Sequence, residues 1–153
     1  MTTKTQTTND VIAMANLIYG EAGGEGEDFM KMVGSSVMQR ANAGREFGDN
    51  IQDVINNQKS GYYAVTKNSP MFQQAQTQTF PDEASQMQYK KALQIAGGLV
   101  SGDIGYGNTQ FYFTPKEIKN LKANPSAFDF SKVQEIGEQQ GTKEKFKLFR
   151  YKD

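Results

Sequence analysis

The residues best suited to chemistry in this chain lie in the segment Ile18 to Glu25. An apolar helical pattern runs into the segment, Glu21 stands at its end, and Gly23 and Gly24 follow. This arrangement can place a carboxyl group at the mouth of a cleft with apolar walls, where burial raises the carboxyl pKa. A glutamate that keeps its proton near neutral pH can act as a general acid, which cleavage of a glycosidic bond needs. We therefore expect Glu21 to be a catalytic acid.

Glu25 is the candidate for a second carboxylate. Glycosidases with two carboxylates hold them about 5–5.5 Å apart when they retain the anomeric configuration and about 6.5–9.5 Å apart when they invert it. The glycines between Glu21 and Glu25 allow either separation. The alternative is that Glu25, like Glu27 and Asp28, only stabilises the start of the next helix.

Two further segments combine aromatic rings, which pack on sugar C–H faces, with polar groups that can bind hydroxyls. The first runs from Gln58 to Tyr63, and the second is the strand-like Phe111 to Phe113. Strand alternation sends Phe111 and Phe113 to one face and Tyr112 to the other. We expect most rings to be core and one or two to face a cleft. The candidate substrate-binding residues are Glu25, Gln58, Tyr62, Phe111 and Tyr112.

The composition narrows the possible chemistry. Lys plus Arg and Asp plus Glu each total 17, so the formal net charge is zero and nothing favours nucleic acid or an anionic membrane as partner. The chain has no histidine and no cysteine, which excludes Ser-His-Asp and Cys-His catalysis, His-ligated metals, thiolate zinc sites and disulfides. Carboxylate-driven chemistry therefore gains weight by elimination.

The spacing of apolar residues and the positions of Gly, Pro and capping residues predict an α+β fold, with a helical body and a small antiparallel sheet towards the C-terminus. We expect a flexible tail over residues 1–8 and one domain over residues 9–153. Asn9 or Asp10 would cap the first helix, which Gly23 and Gly24 end. Further helices are predicted over residues 27–43, 51–57, 70–76, 81–100 and 115–121. Strands are predicted over residues 109–113, 132–136 and 146–151, with polar loops over residues 58–69 and 137–145.

No targeting segment is predicted. Met1 to Asp10 is polar and lacks an apolar signal core. No stretch approaches the roughly 18 apolar residues of a membrane span. We expect a protein made in the cytoplasm without a secretion signal of its own and without membrane insertion.

Five blocks together resemble a known family in their order and spacing. They are the opening helix with its Glu-Ala-x-Gly-Glu motif (residues 15–25), the next helix ending in Arg (33–40), the segment ending in Tyr (54–63), the turn and strand with an aromatic pair (99–115), and a closing hairpin (133–137 and 146–151). The chain, from about Asn9 to Tyr151, thereby resembles the SleB-type cell wall hydrolase family of spore-cortex-lytic and phage muralytic domains.

The resemblance implies a lysozyme-like helical core and cleavage of the β-1,4 bond between N-acetylmuramic acid and N-acetylglucosamine. It implies a lytic transglycosylase in which Glu21 alone serves as acid and then base, with no metal and no organic cofactor. The implied partners are peptidoglycan glycan strands and, for a virion-carried enzyme, other phage virion proteins. A phage or prophage endolysin, or a virion component, would reach the wall without a signal peptide.

Some positions depart from the family pattern. The family often has Arg at the position of Gly23 and Asn at that of Gln39, and its closing hairpin often carries a His that this chain lacks. These departures motivate a second hypothesis, a catalytically silent virion structural or glycan-binding protein of the same fold. A third hypothesis is a two-carboxylate hydrolase that uses Glu21, Glu25 and a water molecule.

Overall fold

The computed structural model describes residues 4–57 and 62–152. These residues form seven α-helices, one short 3-10 helix and three strands, which confirms the predicted α+β class. In chain order the elements are α1 (Lys4–Ala22), α2 (Glu27–Ala43), α3 (Ile51–Asn56), α4 (Tyr63–Thr66), α5 (Pro70–Thr77), α6 (Glu83–Ser101), β1 (Phe111–Phe113), α7 (Pro115–Lys122), the 3-10 helix (Phe130–Lys132), β2 (Val133–Gln140) and β3 (Lys145–Tyr151).

The first helix begins earlier than the sequence predicts. Helix α1 starts at Lys4, so the predicted cap at Asn9 or Asp10 is wrong, and residues 4–8 of the expected tail are helical. Asp10 does not cap the helix because it lies within it. Its side chain instead accepts a hydrogen bond from Gln52 Nε2 at 3.0 Å. This bond ties α1 to α3.

Helices α1, α2 and α6 pack together as the main hydrophobic core. Met14, Ile18, Val33 and Leu99 are fully or almost fully buried there. Gly34 brings α2 close to its neighbours, since a Cβ at this position would lie 2.5 Å from Leu99 Cδ1. The apolar faces of these amphipathic helices therefore meet in this core.

The three strands form an antiparallel sheet in the order β1-β3-β2. The hairpin formed by β2 and β3 is longer than predicted: residues 137–140 of the expected loop belong to β2, and Lys145 belongs to β3. This extension could not be predicted from an alternating apolar pattern, because most of the added residues are polar and exposed. A register shift between Glu135 and Gly137 marks a bulge in β2.

A second, largely aromatic cluster packs behind the sheet. It comprises Phe47, Phe111, Val133, Phe149 and Tyr151, with further rings against them. Phe111 and Phe113 lie parallel, with their centroids 6.5 Å apart, so the predicted alternation along β1 is confirmed. Tyr112 projects the other way and packs against the helical core.

Within residues 4–57 and 62–152, no helix is long and apolar enough to cross a membrane.

Candidate active site

Glu21 lies in the last turn of α1 and lines a cavity of about 290 Å³ between the helical body and the sheet. Most of the wall is aromatic, and it is built by α2, the segment that enters α4, β1 and β3. The lining residues are Glu21, Phe29, Arg40, Tyr62, Tyr63, Tyr112, Phe113, Thr114, Glu117, Glu144 and Phe146. Glu21 itself is only partly exposed. The cavity therefore places the partly buried carboxyl group of Glu21 among aromatic rings, with Glu117 and Glu144 also in the lining.

Two other cavities in the described part of the chain are larger but differently built. One of about 530 Å³ lies beside residues 44–57, and one of about 630 Å³ lies behind the sheet. The carboxyl groups that line them belong to exposed residues, namely Glu46, Asp49, Asp53 and Asp129. A raised carboxyl pKa needs burial, so the Glu21 cavity is the better candidate for acid catalysis.

Both carboxyl oxygens of Glu21 accept a hydrogen bond. Oε2 accepts from the backbone N–H of Ala64 at 2.9 Å, and Oε1 accepts from the hydroxyl of Tyr112 at 2.7 Å. A carboxylate oxygen has two lone-pair positions, so each oxygen retains one position for a proton. The carboxyl group is held in a fixed orientation and can still carry the proton of an acid.

The bond from Ala64 depends on a close approach between α1 and α4. Ala64 lies in the first turn of α4, where backbone N–H groups have no partner within the helix. The N-cap residue Tyr62 supplies no side-chain bond, and Glu21 satisfies the Ala64 donor instead. Gly20 makes this possible, because a Cβ there would lie 2.9 Å from Ala64 Cβ and 3.3 Å from Phe72 Cα.

Tyr112 is held by packing on its ring. Its centroid lies 6.0 Å from those of both Phe29 and Phe146, each in an edge-on arrangement, and 6.4 Å from that of Tyr62. Burial, with the nearby Glu21 carboxyl as a further cause, raises the pKa of the Tyr112 hydroxyl well above its ordinary value. Tyr112 therefore stays neutral and remains a hydrogen-bond donor to Glu21.

Opposing effects act on the pKa of Glu21. Burial is the largest, and it raises the pKa of the carboxyl above its ordinary value of 4.5. The hydrogen bonds from Tyr112 and Ala64 and the positive charge of Arg40 act in the lowering direction, while the negative charge of Glu117 raises the pKa. The net upward direction is the one that a general acid requires.

Arg40 provides the positive charge and joins the two hydrophobic clusters. Its guanidinium carbon lies 4.3 Å from the ring centroid of Tyr62 and 4.5 Å from that of Phe111. Its Nε donates to the backbone oxygen of Gln110 at 2.5 Å. The hydroxyls of Tyr62 and Ser36 share a buried hydrogen bond of 2.6 Å, which holds the ring beneath the guanidinium. Arg40 thus forms part of the cavity wall and is held there by the rings of Tyr62 and Phe111.

The structure brings together some of the predicted site residues and separates others. Glu21, Tyr62 and Tyr112 line the cavity. The expectation that Phe111 contacts substrate is wrong, because its ring is 1% exposed and belongs to the cluster behind the sheet. Glu25 does not line the cavity and instead bonds to Thr142. Gln58 lies outside the described residues.

Several cavity residues were not predicted as site residues. Tyr63 has the most exposed large ring, at 65%, and lines the cavity together with the exposed residues Glu117 and Glu144. The sequence shows Tyr63 as the second residue of a Tyr-Tyr pair, but it does not show which of the two rings is the exposed one. Glu117 was recognisable only as part of the Thr114 capping box.

The two departures from the family pattern at Gly23 and Gln39 lie outside the cavity lining. A Cβ at Gly23 would lie 2.3 Å from Met71 Cε and 2.7 Å from the backbone oxygen of Tyr19, so packing favours glycine here. Gln39 donates through Nε2 to the backbone oxygen of Gly107. The residues at both positions therefore have local structural roles, close packing at Gly23 and a hydrogen bond at Gln39.

Among the described residues no three carboxylates come together as a metal site would need. Comparisons of the chain with protein-family models, with curated proteins and with solved structures gave no match. Functional inference therefore depends on the residues and their geometry.

Proposed function

We propose that this protein is a peptidoglycan lytic transglycosylase in which Glu21 acts as both general acid and general base. The observation that carries the proposal is the Glu21 carboxyl group, partly buried among aromatic rings and fixed by hydrogen bonds of 2.9 and 2.7 Å. Its raised pKa supports a protonated resting state.

In the first step, Glu21 donates its proton to the glycosidic oxygen as the bond from that oxygen to C1 of N-acetylmuramic acid breaks. The carboxylate that results is stabilised by Tyr112, by the N–H of Ala64 and by the charge of Arg40. These groups bind the anion more strongly than the acid and so favour the charge that develops during proton transfer.

In the second step, the Glu21 carboxylate accepts the proton of the muramic acid C6 hydroxyl. The C6 oxygen bonds to C1, and a 1,6-anhydro end forms. Glu21 returns to its acid form, and no water is consumed. The walls suit this outcome, because the rings of Phe29, Phe113 and Phe146 line the cavity and restrict competing water.

The cavity rim offers groups that suit a sugar chain. The exposed ring of Tyr63 can pack on the C–H face of a sugar, and the carboxylates of Glu117 and Glu144 can accept bonds from hydroxyl groups. The choice of peptidoglycan among glycans rests on the resemblance of the ordered sequence blocks. In this proposal the protein is phage- or prophage-encoded and reaches the wall after release from the cell or as a virion component.

Glu25 is a poor second carboxylate. One of its oxygens already accepts two hydrogen bonds from Thr142, and its side chain lies outside the cavity lining. A mechanism that needs only Glu21 fits this arrangement better than a hydrolase that pairs Glu21 with Glu25. Products distinguish the two mechanisms, since hydrolysis gives reducing ends.

The test is digestion of purified peptidoglycan by the wild type and by Glu21→Gln, with muropeptides identified by mass spectrometry. Glutamine fits the site: its oxygen can accept from Ala64, and its NH₂ group can donate to the Tyr112 oxygen. We expect anhydro-muropeptides from the wild type and none from the variant. Glu27→Gln is the matched control, because Glu27 is exposed and pairs with Lys31 and Lys91 at 3.7 and 3.8 Å, and it should retain full activity.

Full activity of a folded Glu21→Gln variant would overturn the mechanism. Reducing-end products would show that the reaction is hydrolysis and not transglycosylation. The absence of products across several wall types, combined with retention of the protein on the glycan, would support the second candidate, a silent glycan-binding or virion structural protein. The exposed Tyr63 ring is the observation that favours this candidate.

A further inference from the structure

Glu25 makes a contact that joins two distant parts of the chain. It lies between α1 and α2, and its Oε2 accepts bonds from the backbone N–H of Thr142 at 2.5 Å and from Thr142 Oγ1 at 2.9 Å. Thr142 is in the turn between β2 and β3. A carboxylate that accepts two donors from one residue makes a strong, oriented contact. We call this Glu25–Thr142 contact the hairpin latch.

The turn is fitted closely around the hairpin latch. The N–H of Gly141 donates to the backbone oxygen of Glu144 at 2.7 Å and closes the turn. A Cβ on Gly141 would lie 3.0 Å from Glu25 Oε2 and 3.1 Å from Phe146 Cε2. The absence of a side chain at Gly141 therefore lets the turn rest against both Glu25 and Phe146.

The tip of the hairpin is also a wall of the Glu21 cavity. Glu144 and Phe146 both line the cavity. The Phe146 ring packs edge-on against Phe29, with centroids 4.8 Å apart, and against Tyr112, the donor to Glu21. A series of contacts thus leads from Glu25 through the tip and Phe146 to Tyr112 and Glu21.

The ion pairs between the hairpin's own charged side chains do not attach it to the helices. Lys145 pairs with Glu138 at 3.3 Å and Lys147 with Glu135 at 3.6 Å, so both pairs join β2 to β3. Such exposed pairs contribute little, about 0–1 kcal/mol each. At the tip, the hairpin latch is the polar contact between the hairpin and the helical body.

We propose that Glu25 is a positioning residue that holds the tip of the β2–β3 hairpin over the cavity and keeps Phe146 packed against Tyr112. The role in catalysis rests on the proposed function, whereas the role in placing the hairpin does not. Loss of the latch frees the tip and admits water to Glu21.

The electrostatic consequence has a definite sign. The titratable and charged groups that share the cavity with Glu21 are Tyr62, Tyr63, Tyr112, Arg40, Glu117 and Glu144. None of these is removed by a change at Glu25. Burial is the main cause that raises the Glu21 pKa, so water entering the cavity lowers that pKa towards 4.5. The alkaline limb of an activity profile, where the acid loses its proton, then moves to lower pH.

The test compares Glu25→Ala with Glu25→Gln by NMR of the full chain. Glutamine keeps an oxygen that can accept from Thr142, whereas alanine does not. In Glu25→Ala we expect the Thr142 amide to exchange at least about tenfold faster, as an amide without its bond does. We also expect the Glu21 carboxyl, assigned from the Glu21→Gln spectrum, to titrate about half a pKa unit lower or more. Glu25→Gln should stay close to the wild type.

Thr142→Val removes only the Oγ1 donor and should change both quantities in the same direction but less, which keeps the test available if Glu25→Ala folds poorly. Glu27→Ala removes a nearby exposed carboxylate and should change neither. An unchanged Thr142 exchange rate and Glu21 pKa in Glu25→Ala would overturn the proposal. Loss of activity in Glu25→Gln with an unchanged Glu21 pKa would also overturn it, because Glu25 would then act as a second carboxylate. The NMR measurements need no substrate. An inactive wild-type protein would therefore overturn the proposed function, while the role of the hairpin latch would still be decided by the exchange rate and the Glu21 pKa.

Discussion

The acidity of Glu21 is set by a balance between burial and hydrogen bonding. Burial raises the pKa of the carboxyl, and Tyr112 and Ala64 act against it by binding the anion. A group that must first give and then take a proton needs both effects, because burial alone would make the carboxylate too costly to form. At the residue scale Tyr112 is therefore the partner whose removal is most informative.

Tyr112→Phe keeps the ring that packs on Phe29 and Phe146 and removes the hydroxyl that donates to Glu21. The anion loses a donor, so the pKa of Glu21 should rise and the alkaline limb of the kcat/KM profile should move to higher pH. A hydrogen bond to a charged group contributes about 1.5–3 kcal/mol, so kcat should fall roughly ten- to hundredfold. Release of anhydro-muropeptides measured across pH checks both effects.

Tyr106→Phe is the matched control, because the Tyr106 hydroxyl bonds to Asn42 and does not line the cavity. It should leave the profile unchanged. An alkaline limb that stays in place or moves to lower pH in Tyr112→Phe would show that the hydroxyl does not stabilise the Glu21 anion.

At the scale of elements, the site depends on how closely α1 meets α4 and α5. Gly20 allows this close approach, because it has no Cβ where Ala64 and Phe72 pack against α1. The short helix α4 has no side-chain cap from its own N-cap residue, and Glu21 supplies the acceptor. The Glu21 carboxyl thus also orders the element that orients it.

Gly20→Ala should destabilise the protein. The new Cβ would lie 2.9 Å from Ala64 Cβ and 3.3 Å from the backbone Cα of Phe72. Overpacking of this kind costs about 1–3 kcal/mol, and a contact with backbone that cannot move aside belongs at the upper end, above the gain of about 1 kcal/mol from replacing a helical glycine. We expect a lower free energy of unfolding in urea and lower activity, because α4 and its Ala64 N–H must move away from Glu21.

Gly97→Ala provides the comparison, since it lies in α6 and its Cβ would meet no atom within 4 Å. It should stabilise the protein by about 0.5–1 kcal/mol with activity unchanged. Equal stabilisation by both substitutions would show that the approach at Gly20 is not tight.

Elements with local signals were predicted well from the sequence, and elements set by distant contacts were not. The bounds of α2 were predicted correctly because Glu27 and Asp28 begin it and Gly44 ends it, with a φ of 58° that favours glycine. Helix α4 was missed because it has four residues and its acceptor is Glu21, far away in the chain. The extension of β2 was missed because exposed polar residues give no alternating pattern.

The site shows the same division. The position of Glu21 in a cavity with aromatic walls was predictable, because an apolar helix ending at paired glycines is a local pattern. The bond from Ala64 to Glu21, the packing of Arg40 on Phe111 and the Glu25–Thr142 contact join residues that only tertiary structure brings together. Phe111 was misplaced because alternation along a strand assigns rings to two faces without saying which face meets a cavity.

At the scale of the whole molecule, the cavity lies where the helical core meets the sheet, and β1 contributes to both sides. Phe111 enters the aromatic cluster behind the sheet, while Tyr112 packs against the helical core. Arg40 lies between the rings of Tyr62 and Phe111 and links the two. The global stability should therefore respond to the protonation of Glu21 at this junction.

Glu21→Gln should change how stability depends on pH. Because the Glu21 pKa is raised in the folded protein, its stabilising contribution is full below the unfolded value of about 4.5 and is lost as pH rises through the folded pKa. Glutamine does not titrate. The free energy of unfolding of the variant minus that of the wild type should thus rise with pH across this window, by about 1.4 kcal/mol per pKa unit of elevation, and then level off.

Urea unfolding at several pH values between about 4 and 8 measures this difference. Glu27→Gln, which changes an exposed and ion-paired carboxylate, should show no such rise. A difference that falls with pH would mean that the folded protein favours the Glu21 anion, and the acid role would lose its basis.

The strand that carries Tyr112 can be fixed only late in biosynthesis. β1 pairs with β3, and Tyr112 lies opposite Leu148. Among the described elements, the ribosome makes β3 after the seven helices and β2, and such non-local pairing forms slowly. A nascent chain that already contains Glu21 and its whole helical body still lacks the strand that holds the tyrosine in place. The hydrogen bond from Tyr112 to Glu21 is therefore completed only once β3 has been translated, and a chain truncated before β3 carries Glu21 without this partner.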